Sequence, residues 1–371
     1  MINILHVIDT TGPGGAETVF LNLVSKLDRS RFCSYVVISG KGWVYDQLTK
    51  DSIELLICSS KGSFNFKYLL QLIKIIRRLN IDVIHSHLLG SNVYSCVAGF
   101  LCNVPVVTTF HGFVDSQNVD KWIKARFFLI NNFASRIVFV SHHLKKYFVS
   151  NRGADVKKSV VIYNGINLNY FKPQVDNSIR QEIGLSTDDF VIGSIGNIRE
   201  AKGYEDLLRC AAVLKDAGFR CKFLIAGQGA GPIFDQLLKL RKSLQLCDIV
   251  EFLGFRDDTV ALLNAFDIFL LPSISEGFSI ATIEAMACGV TTIVTKSGGP
   301  EEIVVDGENG IMVPPNDFKK MAQELMGLID NKKKRYDLGR YALESVRFRF
   351  TDKAMVASYE VLYKHLEKNN T

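Results

Sequence analysis

The chain is expected to fold as α/β, with two parallel-sheet domains in tandem. Three observations point to this. Short β-rich runs alternate with amphipathic helical stretches from end to end. The alternation breaks once, in the polar, turn-rich segment "NLNYFKPQVDNSIRQEIGLSTDD". The 371 residues, 47% hydrophobic and 22% charged, suit two ordinary globular cores.

In the first half, strands are expected at 2–8, 35–39, 54–58, 83–86, 104–109, 136–140 and 160–163. Between them, stretches such as "AETVFLNLVSKL" and "KYLLQLIKIIRRL" space their apolar residues as helices do. Strands separated by helices imply βαβ units and a parallel sheet. The second half repeats the pattern, with strands at 191–195, 222–226, 250–253, 268–271, 292–294 and 310–313. The first domain is placed at 1–170 and the second at 188–345, with the polar segment between them read as a linker. A last helix at about 351–371 is expected to return to the first domain, and disorder only at 368–371.

The uncharged stretch 88–110 is long enough to span a bilayer. It contains Asn92, Asn103 and Pro105 and divides into a helix and a strand, so it reads as buried core. Met1-Ile2-Asn3 runs directly into a strand without a charged leader, so no secretory signal is expected. The eight cysteines are scattered and form no C-x-x-C pair, which fits reduced thiols and a cytoplasmic location. Residues 1–170 hold 19 Lys+Arg and 10 Asp+Glu, a balance of +9, against 25 and 28 in the remainder, a balance of −3. That asymmetry suggests that the first half meets something anionic.

Ligands of open α/β sheets bind beyond the carboxyl ends of the strands, so the loops just after strands are the candidates. After the first strand, "DTTGPGGAET" offers Gly14 and Gly15 at a helix start, where backbone approaches a ligand closely. Glu17 stands where a dinucleotide fingerprint would carry its third glycine, which argues against a dehydrogenase, and no phosphate-loop motif ending in Gly-Lys-Ser/Thr occurs. The strand ends "IHSH" and "TTFHGF" bring His85, His87 and His111. Two histidines at i and i+2 share a strand face, but no acid or cysteine cluster completes a metal set, so no metal is expected. In "IGSIGNIREAKGYEDLL", Arg199 and Lys202 sit beside free helix-start amides, a pairing suited to a diphosphate.

The segment "EGFSIATIEAMACGV" carries Glu276 in the loop before a helix and Glu284 inside it, with no basic residue between them. The helix start attracts an anion, Gly277 permits its approach, and each carboxylate can accept hydroxyl hydrogen bonds. Sugar at Glu276, phosphate at the amides and ribose at Glu284 spell a sugar nucleotide. An N-terminal acid stabilising the helix dipole and a surface glutamate are the plain alternative, but Glu284 lies among Ile283, Ala285, Met286 and Ala287.

This segment, followed by "SGGPEEIV", resembles the donor-binding signature of the retaining glycosyltransferases of family 4, including bacterial polysaccharide and lipopolysaccharide enzymes. "GGAE", "TFHG", "FVSHHLKKYF", "IYNGIN", "GNIREAKG", "IAGQG" and "FLGFRDD" extend the resemblance over nearly the whole chain. It implies the GT-B fold, two Rossmann-like domains facing across a cleft, the first for the acceptor and the second for the donor. It also implies a hexosyltransferase that retains anomeric configuration and needs no metal or other cofactor. By resemblance, Glu276 binds the donor sugar and Glu284 the nucleotide ribose, while His111 lies near the sugar. Lys202 and Arg199 meet the diphosphate, with Asn197 standing where the family usually has arginine. Gly277, Phe278, Ser279, Thr282 and Gly227 are the remaining substrate-binding candidates.

The expected donor is a UDP-sugar and the expected acceptor a glycan or lipid-linked hydroxyl, with no nucleic acid partner. A nucleotide-sugar 2-epimerase on the same fold, or a non-catalytic sugar-nucleotide binder, are the rival readings. In "KWIKARFFLI", Trp122, Phe127 and Phe128 interleave with Lys121, Lys124 and Arg126. Such a stretch suits a peripheral contact with an anionic inner leaflet, the alternative being that its apolar residues pack on the sheet.

Overall fold

The computed structural model describes residues 1–51, 53–60, 65–113, 122–175, 178–186 and 188–368. Two compact units emerge: Met1–Gly165 with Asp352–Thr371, and Ile166–Thr351.

The first unit runs β1 (Ile2–Ile8), α1 (Gly15–Lys26), β2 (Phe32–Ile38), α2 (Trp43–Leu48), β3 (Glu54–Ile57), α3 (Phe66–Arg78), β4 (Val83–His87), α4 (Leu89–Cys102), β5 (Val106–Phe110), α5 (Ile123–Phe133), β6 (Arg136–Phe139), α6 (His142–Arg152) and β7 (Ser159–Val161). All seven strands are parallel, in the order β3-β2-β1-β4-β5-β6-β7. Chain order reverses between β1 and β4, which opens a crevice at their carboxyl ends. The uncharged stretch 88–110 forms α4 and β5 within this unit, and no described helix is long and apolar enough to cross a membrane.

Phe127 departs from expectation. Only 2% of it is exposed, and its ring stacks on Phe110 and lies against Phe148. Residues 127 and 128 point to different sides of α5, so Phe128 is 65% exposed while Phe127 fills the core. Lys121 lies outside the described residues.

The second unit comprises α7 (Ser178–Glu182), β8 (Phe190–Ile195), α8 (Tyr204–Asp216), β9 (Cys221–Ala226), α9 (Gly231–Ser243), β10 (Val250–Gly254), α10 (Thr259–Ala265), β11 (Ile268–Leu271), α11 (Ile280–Ala287), β12 (Thr291–Thr295), β13 (Ile311–Val313), α12 (Phe318–Ile329) and α13 (Lys332–Arg349). Its six parallel strands lie in the order β10-β9-β8-β11-β12-β13. Leu207, Phe223, Leu270 and Leu325 join strands and helices in one core. Order reverses here between β8 and β11.

The polar segment before β8 is not a free linker. Arg180 of α7 donates to the carbonyls of Asp189 (2.7 Å) and Ala265 (2.8 Å) and pairs with Asp267 at 3.0 Å. The Gln174 amide donates to Asn264 Oδ1 at 2.7 Å. The segment is thereby bound to the second unit, and Ile166 already bonds Phe350 at 3.0 Å.

The last helix, α14 (Asp352–Lys368), belongs to the first unit. Tyr359 and Tyr363 are buried there. Tyr363 shares a 2.6 Å hydrogen bond with His85 Nδ1, and the Asp28 amide donates to Glu360 at 3.0 Å. Lys26 pairs with Asp352. Among the described residues every cysteine is a free thiol.

Candidate active site

In the second unit the loops after β8 and β11 leave the sheet at its switch point. The first turns through Gly196 and Asn197 into a single 3-10 turn, Glu200–Lys202. It is stitched to the loop after β9: Gly196 N–H donates to the Ala226 carbonyl (2.8 Å), Ile198 N–H to that of Gln228 (2.8 Å), and the Gln228 amide to Asn197 Oδ1 (3.1 Å). Gly227 makes this packing possible, because a Cβ there would lie 2.0 Å from the Gly196 carbonyl oxygen. Asn197 therefore joins two loops, and Arg199 is exposed at the head of the 3-10 turn.

The loop after β11 brings Glu276 against Lys202. Lys202 Nζ donates to Glu276 Oε1 at 2.6 Å, and Ser273 Oγ donates to the same oxygen at 2.6 Å. The carboxylate is only 8% exposed. Its backbone is pinned too: Glu276 N–H donates to Ser297 O and Gly299 N–H to Glu276 O, both at 2.9 Å. A Cβ on Gly299 would lie 2.5 Å from the Gly277 carbonyl oxygen, so glycine lets the "SGGPEE" segment close over this loop. Thr295 Oγ1 in turn donates to the Ser273 carbonyl.

Helix α11 begins at Ile280, with Ser279 as its N-cap and no side-chain hydrogen bond from Ser279 to a first-turn backbone amide. Thr282 Oγ1 donates to Ser279 Oγ at 2.8 Å. Phe278 is turned inward, its ring edge-on to Phe350. Glu284 is 7% exposed, and its side chain makes no hydrogen bond or ion pair among the described residues. Burial pushes its carboxyl up to about 8. Burial and the Glu284 carboxylate together raise the Tyr170 hydroxyl, which marks Tyr170 as a neighbour.

In the first unit, Gly14 is the N-cap of α1 and Gly15 its first residue, with the Glu17 carboxylate folded over Gly14. His87 is the last residue of β4 and His111 follows β5 directly. Their rings meet, His87 Nδ1 to His111 Nε2 at 2.9 Å. Three buried histidines, His6, His85 and His87, each bring a ring nitrogen within 4.8 Å of the others. His85 has both ring nitrogens engaged, with Tyr363 (2.6 Å) and Thr109 (2.7 Å), a set suited to hydrogen bonding. Burial lowers His6 to about 3 and His111 to about 4, and His85 and His87 well below their ordinary value. These rings are neutral at pH 7.

The structure thus gathers Lys202, Glu276, Gly277, Ser279 and Glu284 on two neighbouring loops and one helix of the second unit, and His111 with His87 in the first. Sequence reasoning missed Ser273 and the partnership of His87 with His111. Both stand at strand ends, in "DIFLLPS" and "IHSH", the positions beyond which ligands of such sheets bind.

Comparison with known proteins agrees in both halves. The family model described as Glycosyltransferase Family 4 matches residues 13–170, and that described as Glycosyl transferases group 1 matches 175–345. The N-acetyl-alpha-D-glucosaminyl L-malate synthase of Bacillus anthracis is 28% identical over 78% of this chain and 76% of its own. The N,N'-diacetylbacillosaminyl-diphospho-undecaprenol alpha-1,3-N-acetylgalactosaminyltransferase of Campylobacter jejuni is 29% identical over 82% of each. Among solved structures, the Anabaena protein HepE in complex with UDP and glucose superposes with a TM-score of 0.90 at 23% identity, covering 98% of this chain and 100% of that one.

Proposed function

Because this chain belongs to the glycosyltransferases that join a family 4 first half to a group 1 second half, we propose that it moves a sugar from a UDP-sugar to a hydroxyl of a lipid-linked or glycan acceptor. The reaction retains anomeric configuration, uses no metal, and serves surface polysaccharide or lipopolysaccharide assembly at the inner face of the cytoplasmic membrane. The observation that carries this reading is the Lys202–Glu276 pair, seated where β8 and β11 diverge and beside the open N-terminus of α11.

The chemistry follows from charge. The bond from the anomeric carbon to the diphosphate breaks, and the acceptor oxygen bonds to that carbon on the same face. The acceptor proton passes to the departing phosphate oxygen. Lys202, Arg199 and the first-turn amides of α11 compensate the growing negative charge, the role a divalent cation plays elsewhere. Glu276 holds sugar hydroxyls, Glu284 the ribose diol, and His111 contributes a neutral ring to substrate.

The undecaprenol-linked substrate in the name of the Campylobacter relative supports a lipid-linked acceptor. A membrane contact is supported by the outer helical face of the first unit. Phe66, 74% exposed, and Leu70 lie on α3 among exposed Lys67, Lys74, Arg77 and Arg78. Exposed Phe100 and Leu101 follow on α4, and Trp122, Lys124 and Phe128 around α5; α4 packs against both α3 and α5. Each cation near an anionic surface contributes about 1 kcal/mol. Co-sedimentation with phosphatidylglycerol vesicles is expected, falling with salt and weakened in a Lys67/Lys74/Lys124→Ala variant. Absence of binding at low salt removes the membrane part and leaves the transferase part.

The deciding experiment is a thermal-shift screen of nucleotides and sugar nucleotides, followed by transfer to a synthetic lipid-diphosphate sugar. A ligand at a hundred times its Kd adds about 2.7 kcal/mol of stability. UDP-sugars are expected to stabilise the chain, and nucleotide release is expected to require acceptor. Interconversion of the donor sugar without acceptor would establish the epimerase instead, and tight binding without turnover the passive binder.

A further inference from the structure

The pairing of His87 with His111 has a consequence for substrate recognition. β4 and β5 are parallel, with His87 opposite Thr109, so His111 lies two residues beyond that register. The two ring planes are only 19° apart, and the 2.9 Å contact joins Nδ1 of one to Nε2 of the other. His87 is wholly buried, edge-on to Phe20 and beside His85. His111 is half-buried. Each ring keeps one nitrogen, His87 Nε2 and His111 Nδ1, without a hydrogen-bond partner.

Two neutral rings sharing one hydrogen bond have two arrangements, and each leaves one ring N–H unpaired. If His111 donates, the unpaired N–H is His87 Nε2, sealed in the core. If His87 donates, it is His111 Nδ1–H, on a half-buried residue at a strand end. Both nitrogens are buried, and an unpaired buried donor carries its full desolvation penalty. Of the two residues only His111 is part-exposed, so a ligand oxygen can relieve that penalty there and not at His87. We propose that His87 is a positioning residue that donates from Nδ1 to His111 Nε2, fixing His111 as the tautomer that offers Nδ1–H to an oxygen of the substrate. This rests on the reading of His111 as a substrate-binding residue.

The pair is tested first by ring-nitrogen NMR on protein labelled with 15N-histidine, which needs no substrate. His111 is expected in the Nδ1–H form in the wild type, to lose that preference in His87→Phe, and to regain it in His87→Asn, whose amide replaces the Nδ1–H donor. An unchanged His111 tautomer in His87→Phe would overturn the proposal.

The second measurement is nucleotide release from UDP-glucose, UDP-galactose and UDP-N-acetylglucosamine. His87→Phe is expected to lower turnover roughly two- to tenfold, the span of one net hydrogen bond. His87→Asn should recover most of the loss, and His87→Phe should add nothing in a His111→Ala background. Additive losses would make His87 merely structural and overturn the positioning role. Full turnover in His111→Ala alone would instead end the reading of His111, whatever the tautomer spectra show of the pair.

Discussion

Glu276→Gln is expected to lose roughly ten- to a hundredfold in transfer rate, the 1.5–3 kcal/mol of a charge-assisted hydrogen bond, while binding nucleoside diphosphate at least as tightly as the wild type. The geometry explains why these separate. The glutamine carbonyl can still accept from Lys202 and Ser273, as Oε1 does now at 2.6 Å from each, so the loop keeps its shape. What disappears is the negative charge, and with it the acceptor at the second oxygen for a sugar hydroxyl. Lys202 then keeps its full charge for phosphate. Lys202→Ala runs the other way. It removes the ammonium that pairs with the Glu276 carboxylate and is proposed to meet phosphate, leaves a nearly buried carboxylate without its counter-ion, and is expected to weaken nucleoside diphosphate far more than nucleoside. Calorimetry with both ligands on both variants checks the pair. Wild-type transfer by Glu276→Gln, or equal losses of the two ligands in Lys202→Ala, would contradict these roles.

Much of this arrangement is legible in the amino-acid order, and the illegible parts share a cause. Parallel strands covered on both faces read as continuous apolar runs, which is why β11 is expected and found at the same four residues, 268–271. The site loops follow from the rule that ligands meet strand ends. Pairings across the sheet do not. Lys202 and Glu276 are 74 positions apart and meet only because β8 and β11 are neighbours. His87 and His111 meet through the β4–β5 register. The segment before β8 looks like a linker because it is polar, yet Arg180 bonds backbone carbonyls that no side-chain pattern advertises. Phe127 and Phe128 are the same residue type in one run, and only the angle of α5 decides which is buried.

Glu284→Gln is expected to stabilise the free protein above neutral pH while weakening nucleotide binding. The buried carboxyl has no partner among the described residues and is raised from 4.5 to about 8. A raised acid binds its proton more tightly folded than unfolded. Folding therefore bears no cost from Glu284 below about pH 4.5, a growing one as pH climbs toward 8, and a constant one above. At 1.36 kcal/mol per unit the full cost is on the order of a few kcal/mol. Thermal unfolding of Glu284→Gln against wild type should diverge by several degrees at pH 8.5 and converge at pH 5. Divergence at pH 5 and convergence at pH 8.5 would refute the burial argument. A ribose diol donates two hydrogen bonds and so favours the ionised form. Nucleoside binding near pH 7 should then release a proton, visible as a dependence of the calorimetric heat on the buffer's ionisation enthalpy. Using the nucleoside rather than the diphosphate removes the phosphate's own titration from the signal. Affinity should rise with pH up to about 8 and level off, and Glu284→Gln should abolish both the proton release and the pH dependence. Binding that takes up no part in proton exchange would separate Glu284 from the ribose and leave its burial without a function at this site.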